Sequence, residues 1–214
     1  MTRGRFITIE GGEGAGKSTQ GHILAQRLEA VGRHVRLTRE PGGAPLAERI
    51  RTLLLDPDAG ERTALSEALL FSAARADHIA HTIAPTLAAG TWVISDRFAD
   101  STRAYQGAAS RLPLDTILTL ERLVTAGHRP DLTLMLDLPA ELGLERAALR
   151  LAGSGGAVRD RFERADLEFH QRLREAFLAI AHAEPERCAV VDAAAPPEVA
   201  ATAIWTIVQA RLEP

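Results

Sequence analysis

The hydrophobic residues of the chain fall into short apolar runs, which alternate with longer stretches where apolar residues recur at helical spacing. Five of the short runs have the length of buried strands. They cover Phe6–Ile9, Val35–Leu37, Thr91–Ser95, Leu132–Leu138 and Ala189–Val191. Because helix-length segments separate these runs, the pattern predicts parallel strands with flanking helices in an α/β fold.

The longer stretches are predicted to be helices. They cover Lys17–Ala30, Leu46–Leu55, Ala64–Ala89, Leu114–Ala126, Glu141–Leu151, Phe162–Ala181 and Glu198–Leu212. One segment fits neither pattern, because residues 153–156 contain three glycines in four positions and predict a mobile loop. Arginines flank this loop on both sides, and from composition alone we interpret it as a solvated surface loop.

The composition is that of a globular protein, with 46% hydrophobic and 25% charged residues in 214 positions. This length fits one domain, which we place at residues 1–214. The net charge of −3 gives no overall attraction to nucleic acid or to anionic membranes, so we expect neither as a partner. A small anionic substrate needs only a local basic pocket, so this class of ligand stays possible.

Three features favour a cytoplasmic protein. The N-terminal residues run directly into a strand-like segment, and no signal peptide is visible. The longest apolar stretch, residues 83–94, is interrupted by Pro85 and Gly90 and is too short to span a membrane. The single cysteine, Cys188, cannot form an internal disulfide, and its apolar neighbours indicate a buried side chain rather than a reactive thiol.

The sharpest chemical signal is a glycine-rich run between the first predicted strand and the first predicted helix, which matches G-x-x-x-x-G-K-[ST]. We expect its glycines to let backbone N–H groups approach the phosphates of ATP, Lys17 to contact the β- and γ-phosphates, and Ser18 to bind Mg²⁺. The predicted ATP-binding residues are Gly11, Gly12, Glu13, Gly14, Ala15, Gly16, Lys17, Ser18 and Thr19.

This phosphate-binding loop, or P-loop, indicates that a nucleoside triphosphate is bound, but it does not determine the reaction. The dinucleotide fingerprint G-x-G-x-x-G is not met, because Lys17 or Thr19 occupies its last position. GTPases read their base with an N-K-x-D motif, which is absent here. Motors and switches need further coupling domains, for which the chain has no room. A small-molecule kinase is the remaining class.

Charged residues follow two predicted strands at the edge where the P-loop lies, which is where parallel sheets bind ligands. Arg39 follows the second strand and Arg97 the third. Arginines at this edge would offset the repulsion between two phosphate-bearing substrates. Asp96, at the end of the third strand, is the preferred second Mg²⁺ ligand, and Asp137, at the end of the fourth, is the alternative.

Two further pairs of residues are candidates for ligand binding. Phe71 and Arg75 are four positions apart in a predicted helix, so they share a face and could hold a nucleobase. Taken alone, a core phenylalanine and a solvent-facing arginine are the preferred interpretation. His78 and His81 lack a convincing third ligand, which disfavours a metal enzyme.

In combination, these residues resemble the bacterial thymidylate kinase family. The segments that carry the resemblance have the family's order and spacing, and together they extend from about Phe6 to Asp192. They are residues 10–19, Thr38–Gly43, Leu53–Asp56, the signature-like run Asp96–Gly107, and Arg129–Thr133. The resemblance implies a three-layer P-loop NTP hydrolase fold, in which helices and a small lid surround a five-stranded parallel sheet.

The same resemblance implies an activity and an assembly. The enzyme would transfer the γ-phosphoryl group of ATP to dTMP, with Mg²⁺ as cofactor, and form dTDP and ADP. This reaction would serve dTTP synthesis for DNA replication. The resemblance also implies a homodimer that forms through helix packing.

The resemblance further assigns roles to matching residues. Glu13 would contact the sugar hydroxyl of dTMP, Phe71 would stack on thymine, and Arg75 would bond its carbonyl oxygen. Arg97 would bridge the acceptor phosphate and the donor end of ATP. The other dTMP contacts would be Arg39 near the acceptor phosphate, Thr102 and Gln106 near the base, and Tyr105 against the sugar 2′ position.

The glycine-rich loop lies where the family carries a lid over ATP, at about residues 150–163. Some members place a basic residue inside the P-loop at the position that Ala15 occupies here. The resemblance therefore implies that a lid arginine supplies this charge. Arg150 matches the position best, while Arg159 and Arg161 are alternatives.

Two other functions stay open at this point. One is a kinase for a different small acceptor, such as another nucleotide or a sugar acid. The predicted base-binding pair and Tyr105 argue against it. The other is a nucleotide-binding regulatory module without catalysis, and the intact set of Lys17, Ser18, Asp96 and Arg97 argues against that.

Overall fold

The computed structural model describes residues 3–56, 58–153, 162 and 165–214. Within these ranges, one parallel sheet contains β1 (Phe6–Gly11), β2 (Val35–Arg39), β3 (Trp92–Asp96), β4 (Leu132–Asp137) and β5 (Cys188–Asp192). The α-helices are α1 (Lys17–Ala30), α2 (Pro45–Leu55), α3 (Ala64–His78), α4 (Ala84–Ala88), α5 (Ala99–Thr102), α6 (Leu114–Thr125), α7 (Ala140–Gly153), α8 (Leu167–Ala183) and α9 (Pro197–Leu212). Two π-helical segments, Ile79–Ile83 and Arg103–Ala109, continue α3 and α5.

The strand order is β2-β3-β1-β4-β5, so β1 lies in the middle of the sheet. Ile9 of β1 pairs with Asp96 of β3 on one side and with Leu134 of β4 on the other. The connection after β1 runs to β2, on the β3 side of the sheet, whereas the connection after β3 runs to β4, on the other side of β1. The carboxyl ends of β1 and β3 are therefore the switch point where open α/β sheets form their ligand crevice. The loops that follow β1 and β3 therefore begin next to each other.

Helices cover both faces of the sheet, which is why the strands are apolar along most of their length. On one face, Leu28 of α1 and Val208 of α9 pack in a cluster with Leu134. On the other face, Leu173 of α8 packs with Met135. The result is three layers, with the core on either side of the sheet.

The predicted fold class is confirmed, since the sheet is parallel, five-stranded and flanked by helices. Each predicted strand overlaps an observed strand, and the predicted bounds of α1 are the observed ones. The periodic pattern was informative because α1 and the strands bury their apolar residues directly in the core.

Two helical predictions need correction, and one helical run was missed. The helix predicted from Phe162 begins at Leu167, because the Asp166 carboxylate accepts the Phe169 N–H at 2.8 Å and caps the helix there. The predicted helix 64–89 is divided by a π-helical segment just before Pro85, whose ring and missing N–H interrupt an α-helix. The helical run 99–109 was not predicted at all.

Most of the predicted lid, 150–163, lies outside the described residues, so the lid and the single domain over 1–214 stay predictions. No helix in the described ranges combines the length and the apolar character that crossing a membrane requires.

Cys188 is buried at the start of β5, and burial raises the pKa of its thiol to about 11.

Candidate active site

The loop between β1 and α1 takes a conformation that favours glycine at several positions. Gly14 and Gly16 have φ angles of +69° and +82°, in the left-handed region. A Cβ atom at Gly14 would lie 2.1 Å from the carbonyl oxygen of Gly143 in α7. The loop packs against α7 and leads directly into the N-terminus of α1, where N–H groups and the helix dipole favour an anion.

Lys17, the only lysine in the sequence, folds back over this loop. Its Nζ donates to the carbonyl oxygens of Gly12 and Gly11, at 2.7 and 3.2 Å. Burial, and after it the positive charge of Arg97, lowers the pKa of Lys17 to about 8. A bound polyphosphate would favour the charged form of Lys17, because an opposite charge nearby stabilises the ammonium group.

Arg97 follows β3 with a φ angle of +71°, a conformation that costs a non-glycine residue roughly 1–2 kcal/mol. Its guanidinium reaches over β1, where Nη1 donates to the carbonyl oxygen of Gly11 at 3.2 Å and Nη2 donates to Glu13 at 2.8 Å. The guanidinium carbon lies 4.9 Å from the ring centroid of Tyr105, in cation–π contact. The left-handed turn therefore brings a cation from β3 to the P-loop.

Glu13 lies between these cations and balances their charge. Its Oε1 accepts hydrogen bonds from Arg97 at 2.8 Å and from the Tyr105 hydroxyl at 2.6 Å. Burial opposes ionisation of Glu13, but the charges of Arg97 and Lys17 outweigh it and hold the pKa at about 2. Within the described residues its Oε2 accepts no hydrogen bond, so this oxygen is available to a ligand hydroxyl.

Ser18 and Asp96 place two oxygens side by side where α1 begins. The Ser18 hydroxyl donates to Oδ2 of Asp96 at 2.5 Å. Hydroxyl and carboxylate oxygens are the ligands that Mg²⁺ prefers, so this pair fits a magnesium ion beside a triphosphate. The alternative ligand, Asp137, accepts two hydrogen bonds from Arg174 at 2.6 and 2.9 Å. The guanidinium of Arg174 therefore already neutralises the charge of Asp137.

These residues surround a cavity of about 370 Å³, a volume typical of small-molecule sites. The predicted site residues in its wall are Glu13, Gly14, Gly16, Lys17, Ser18, Thr19, Arg39, Phe71, Asp96, Arg97, Thr102, Tyr105, Gln106 and Arg150. The predicted residues that are not in its wall are Gly11, Gly12, Ala15 and Arg75. Arg159 and Arg161 lie outside the described residues.

Aromatic rings and small polar groups form one part of this wall. The ring of Phe162 lies 6.3 Å from the ring of Phe71, and it meets the ring of Tyr105 edge-on at 5.2 Å. Thr102 and Gln106 add a hydroxyl and an amide to the same cavity. This combination of flat apolar surface and hydrogen-bonding groups suits a nucleobase.

Arg75 is buried behind this wall, with 3% of its surface exposed. Its Nε donates to Glu40 at 2.8 Å, and its Nη2 donates to the Phe98 carbonyl oxygen at 3.0 Å and to the Thr102 hydroxyl at 3.1 Å. His78 Nδ1 lies 3.0 Å from the second oxygen of Glu40. Arg75 therefore connects α3 with the residues after β2 and β3, and its predicted contact with the base stays a prediction.

Several described residues that line the cavity were not predicted from the sequence: Glu40, Pro41, Arg51, Leu55, Ser101 and Phe162. Some of them adjoin predicted residues, so the rule that strand ends carry the site could have included them. Arg51 is the most informative omission, because its Nη1 donates to the Pro41 carbonyl oxygen at 2.7 Å and its guanidinium lies in the same wall as Arg39. No local signal in the sequence indicated it.

The pKa of Glu13 predicts how protein stability depends on pH. A carboxyl with a folded-state pKa of about 2, against an ordinary value of 4.5, stabilises the folded state above pH 4.5. This contribution is lost as the pH falls from 4.5 toward 2. Above pH 4.5 we therefore expect wild type to have a larger free energy of unfolding than Glu13→Gln. This difference should shrink below pH 4.5, as measured by urea denaturation of both proteins.

A Glu168→Gln variant is the control, because Glu168 has an exposed carboxylate on α8. Exposed substitutions usually change stability by no more than about 0.5 kcal/mol, so its unfolding free energy should stay near that of wild type at each pH. A difference between wild type and Glu13→Gln that is constant from pH 6 to pH 3 would contradict the assigned charge balance.

Comparisons with known proteins agree with this geometry. Residues 9–204 match the family model described as thymidylate kinase. A thymidylate kinase of Caulobacter vibrioides is 54% identical over 212 residues, covering 99% of both chains, and one of Rhodopseudomonas palustris is 52% identical over 98% of this chain and 90% of its own. The crystal structure of thymidylate kinase from Ehrlichia chaffeensis superposes with a TM-score of 0.78 at 34% identity, covering 97% of this chain and 99% of that one. The chain belongs to the thymidylate kinase family.

Proposed function

We propose that the protein transfers the γ-phosphoryl group of ATP to dTMP and forms dTDP and ADP, the reaction of the family to which it belongs. The observation that supports this most directly is a single cavity that joins a P-loop to an aromatic wall, with Lys17, Arg97 and Glu13 clustered at the loop. The P-loop would bind a triphosphate, the aromatic wall would bind a nucleoside, and the charged cluster would lie where the two substrates meet.

At the donor end, the P-loop would bind the phosphates of ATP through its backbone N–H groups and the N-terminus of α1. Lys17 would exchange its bonds to the Gly11 and Gly12 carbonyl oxygens for the β- and γ-phosphate oxygens. Ser18 and Asp96 would hold Mg²⁺. The ion, when bound, would neutralise phosphate charge.

The junction between the substrates is an electrostatic problem. At an effective dielectric constant of about 20, two like unit charges about 4 Å apart repel each other by about 4 kcal/mol. Arg97 would lie where both phosphate groups meet, and Arg39 and Arg51, which line the same cavity, would face the acceptor. Because an acceptor phosphate oxygen is already ionised, the transfer needs positioning and charge neutralisation rather than a strong base.

The nucleoside would lie against the aromatic wall. Phe71 would stack on thymine, with Thr102 and Gln106 near its polar edge. The Tyr105 hydroxyl donates to Glu13, which fixes the position of the ring. The ring would lie beside the sugar and would crowd a 2′-hydroxyl. Oε2 of Glu13 would accept a hydrogen bond from the sugar hydroxyl.

A lid arginine would complete the charge around the transferred phosphoryl group. Arg150 lines the cavity from α7, which supports it for this role. Arg159 and Arg161, outside the described residues, stay alternatives. Closure of a lid over 150–163 would exclude water and so suppress hydrolysis of ATP.

The proposed setting is the cytoplasm, with ATP and dTMP as the binding partners and with neither nucleic acid nor membrane. The net charge of −3 supports the absence of nucleic acid as a partner. The product would feed dTTP synthesis for DNA replication.

A homodimer is proposed through the surface formed by α2, α3 and α6. These helices pack side by side, α2 on α3 and α3 on α6. Their exposed leucines are Leu46, Leu53, Leu65, Leu69, Leu114 and Leu123. Several large apolar side chains on neighbouring helices are typical of an association surface.

A panel of acceptors tests the proposed reaction. With Mg-ATP, we expect kcat/KM for dTMP to exceed that for dCMP, dAMP, dGMP and the ribose form of TMP by at least tenfold. We expect Phe71→Ala to raise the KM for dTMP while it leaves the KM for ATP near the wild-type value, because the Phe71 ring would touch only the acceptor. ATP binding without ADP formation with any acceptor would indicate a binding module instead.

Replacement of Arg97 tests the charge at the junction. We expect Arg97→Ala to lower kcat by about 10²–10³-fold, as the loss of one transition-state contact does. Alanine tolerates the +71° φ angle no better than arginine, so the backbone cost is matched. Arg129→Ala is the control, because Arg129 is exposed and pairs with Glu184 away from the cavity. Wild-type turnover in Arg97→Ala would remove Arg97 from the mechanism.

The proposed dimer surface can be tested by measuring the molar mass of the protein in solution. We expect wild type to show the mass of two chains by light scattering and Leu69→Glu to show that of one, because a charge would be buried at the contact. Val199→Glu, which changes an exposed apolar residue on α9, should stay dimeric. A monomeric wild type at micromolar concentration would exclude the proposed assembly.

A further inference from the structure

Glu10 is a buried carboxyl group to which the proposed reaction assigns no role. It lies in β1, directly before the P-loop, and has no exposed surface. Its Oε1 accepts the backbone N–H of Phe98 at 2.7 Å, and its Oε2 accepts the Ser101 hydroxyl at 2.6 Å. Both partners belong to the segment that follows β3, so Glu10 connects the central strand to the turn that carries Arg97.

The first of these bonds acts on the backbone of Arg97. That residue has a φ angle of +71°, which arginine adopts only when the surrounding structure enforces it. Its own N–H donates to the Ile9 carbonyl oxygen at 3.0 Å, and the next N–H, that of Phe98, donates to Glu10. Two successive N–H groups are thereby anchored to two successive residues of β1, which fixes the turn.

The second bond acts on the guanidinium group. Nη1 of Arg97 donates to the Ser101 oxygen at 3.3 Å. A guanidinium has donors only, so the Ser101 hydroxyl must accept from Arg97, and its own proton then points to Glu10. Oε2 of Glu10 therefore orients the hydroxyl that helps to hold the Arg97 side chain.

The surroundings of this carboxyl group disfavour its ionised form. Burial, and after it the neighbouring Asp100 carboxylate, raises the pKa of Glu10 to about 8. Asp100 itself accepts two hydrogen bonds from Arg187, at 2.7 and 3.0 Å. An amide would fill the same space, but its NH₂ group could not accept a hydrogen bond, whereas both oxygens of a carboxyl group can. The hydrogen-bond pattern around Glu10 requires two acceptors.

We propose that Glu10 is a positioning residue for phosphoryl transfer, which holds the backbone turn and the guanidinium of Arg97 over the P-loop. The inference rests on the proposed function because Arg97 is assigned there to the transferred phosphate. Glu10 itself touches no substrate. Its effect on the reaction is carried entirely by Arg97, and this makes the inference separable from a general role in folding.

A double-mutant cycle between Glu10 and Arg97 tests this inference. The reaction is measured with Mg-ATP and the acceptor that the monophosphate panel ranks first. In the wild-type background, we expect Glu10→Gln to lower kcat by tenfold or more, with the KM for ATP changed by less than threefold. In the Arg97→Ala background, the same Glu10→Gln change should alter kcat by less than twofold, because the group that it positions is gone.

Two variants separate positioning from loss of fold. Ser101→Ala keeps the carboxyl group but removes the hydroxyl between it and Arg97, and we expect a kcat loss smaller than that of Glu10→Gln. Glu121→Gln changes a partly buried carboxylate that bonds Arg103 away from the cavity, and its kcat should match wild type. Urea denaturation of each variant confirms that the measured protein is folded.

The outcomes distinguish the inference from the function on which it rests. Unchanged kcat in folded Glu10→Gln, or equal losses in both backgrounds of the cycle, would overturn the positioning role while the kinase activity stands. A wild-type protein that phosphorylates no acceptor in the panel would overturn the proposed function itself. If Glu10→Gln does not fold, unchanged kcat in Ser101→Ala would overturn the assigned route to Arg97.

Discussion

The site depends on one constraint, which is that Lys17 and Arg97 are held close together in a buried place before any phosphate arrives. Two cations in such a place repel each other, and burial alone disfavours the charged state of each. Glu13 makes the arrangement stable by lying between them as a carboxylate, with its pKa held at about 2. The cavity is thus prepared for anions, and the protein rather than the substrate balances the charge of the empty site.

The parallel sheet is what brings these charges together. β1 carries the P-loop, β3 carries Asp96 and Arg97, and these strands are neighbours with Ile9 opposite Asp96. Their carboxyl ends therefore open at the same edge. The left-handed turn at Arg97 then directs the side chain back toward β1, so the site combines ordinary sheet topology with one strained residue.

A second network supports the wall against which a nucleoside would lie. Arg75 and His78 of α3 share the carboxylate of Glu40, and Arg75 also bonds the Thr102 hydroxyl. This network joins α3 to the residues that follow β2 and β3 without entering the cavity wall itself, except at Glu40 and Thr102. A wall held by buried bonds of this kind keeps its shape when empty, which limits the entropy lost on binding.

The sequence by itself determined the fold class, the P-loop and most of the charged residues at the cavity, because local rules carry this information. Glycines, a lysine and a serine at fixed spacing require one loop conformation, and residues at strand ends must face one edge of a parallel sheet. Only the tertiary structure decided that Arg75 lies behind the wall, that Arg51 lies in it, and that Glu10 bonds the turn at Arg97. These placements join residues between 35 and 88 positions apart, or depend on how helix α2 packs, and no local pattern encodes such distances.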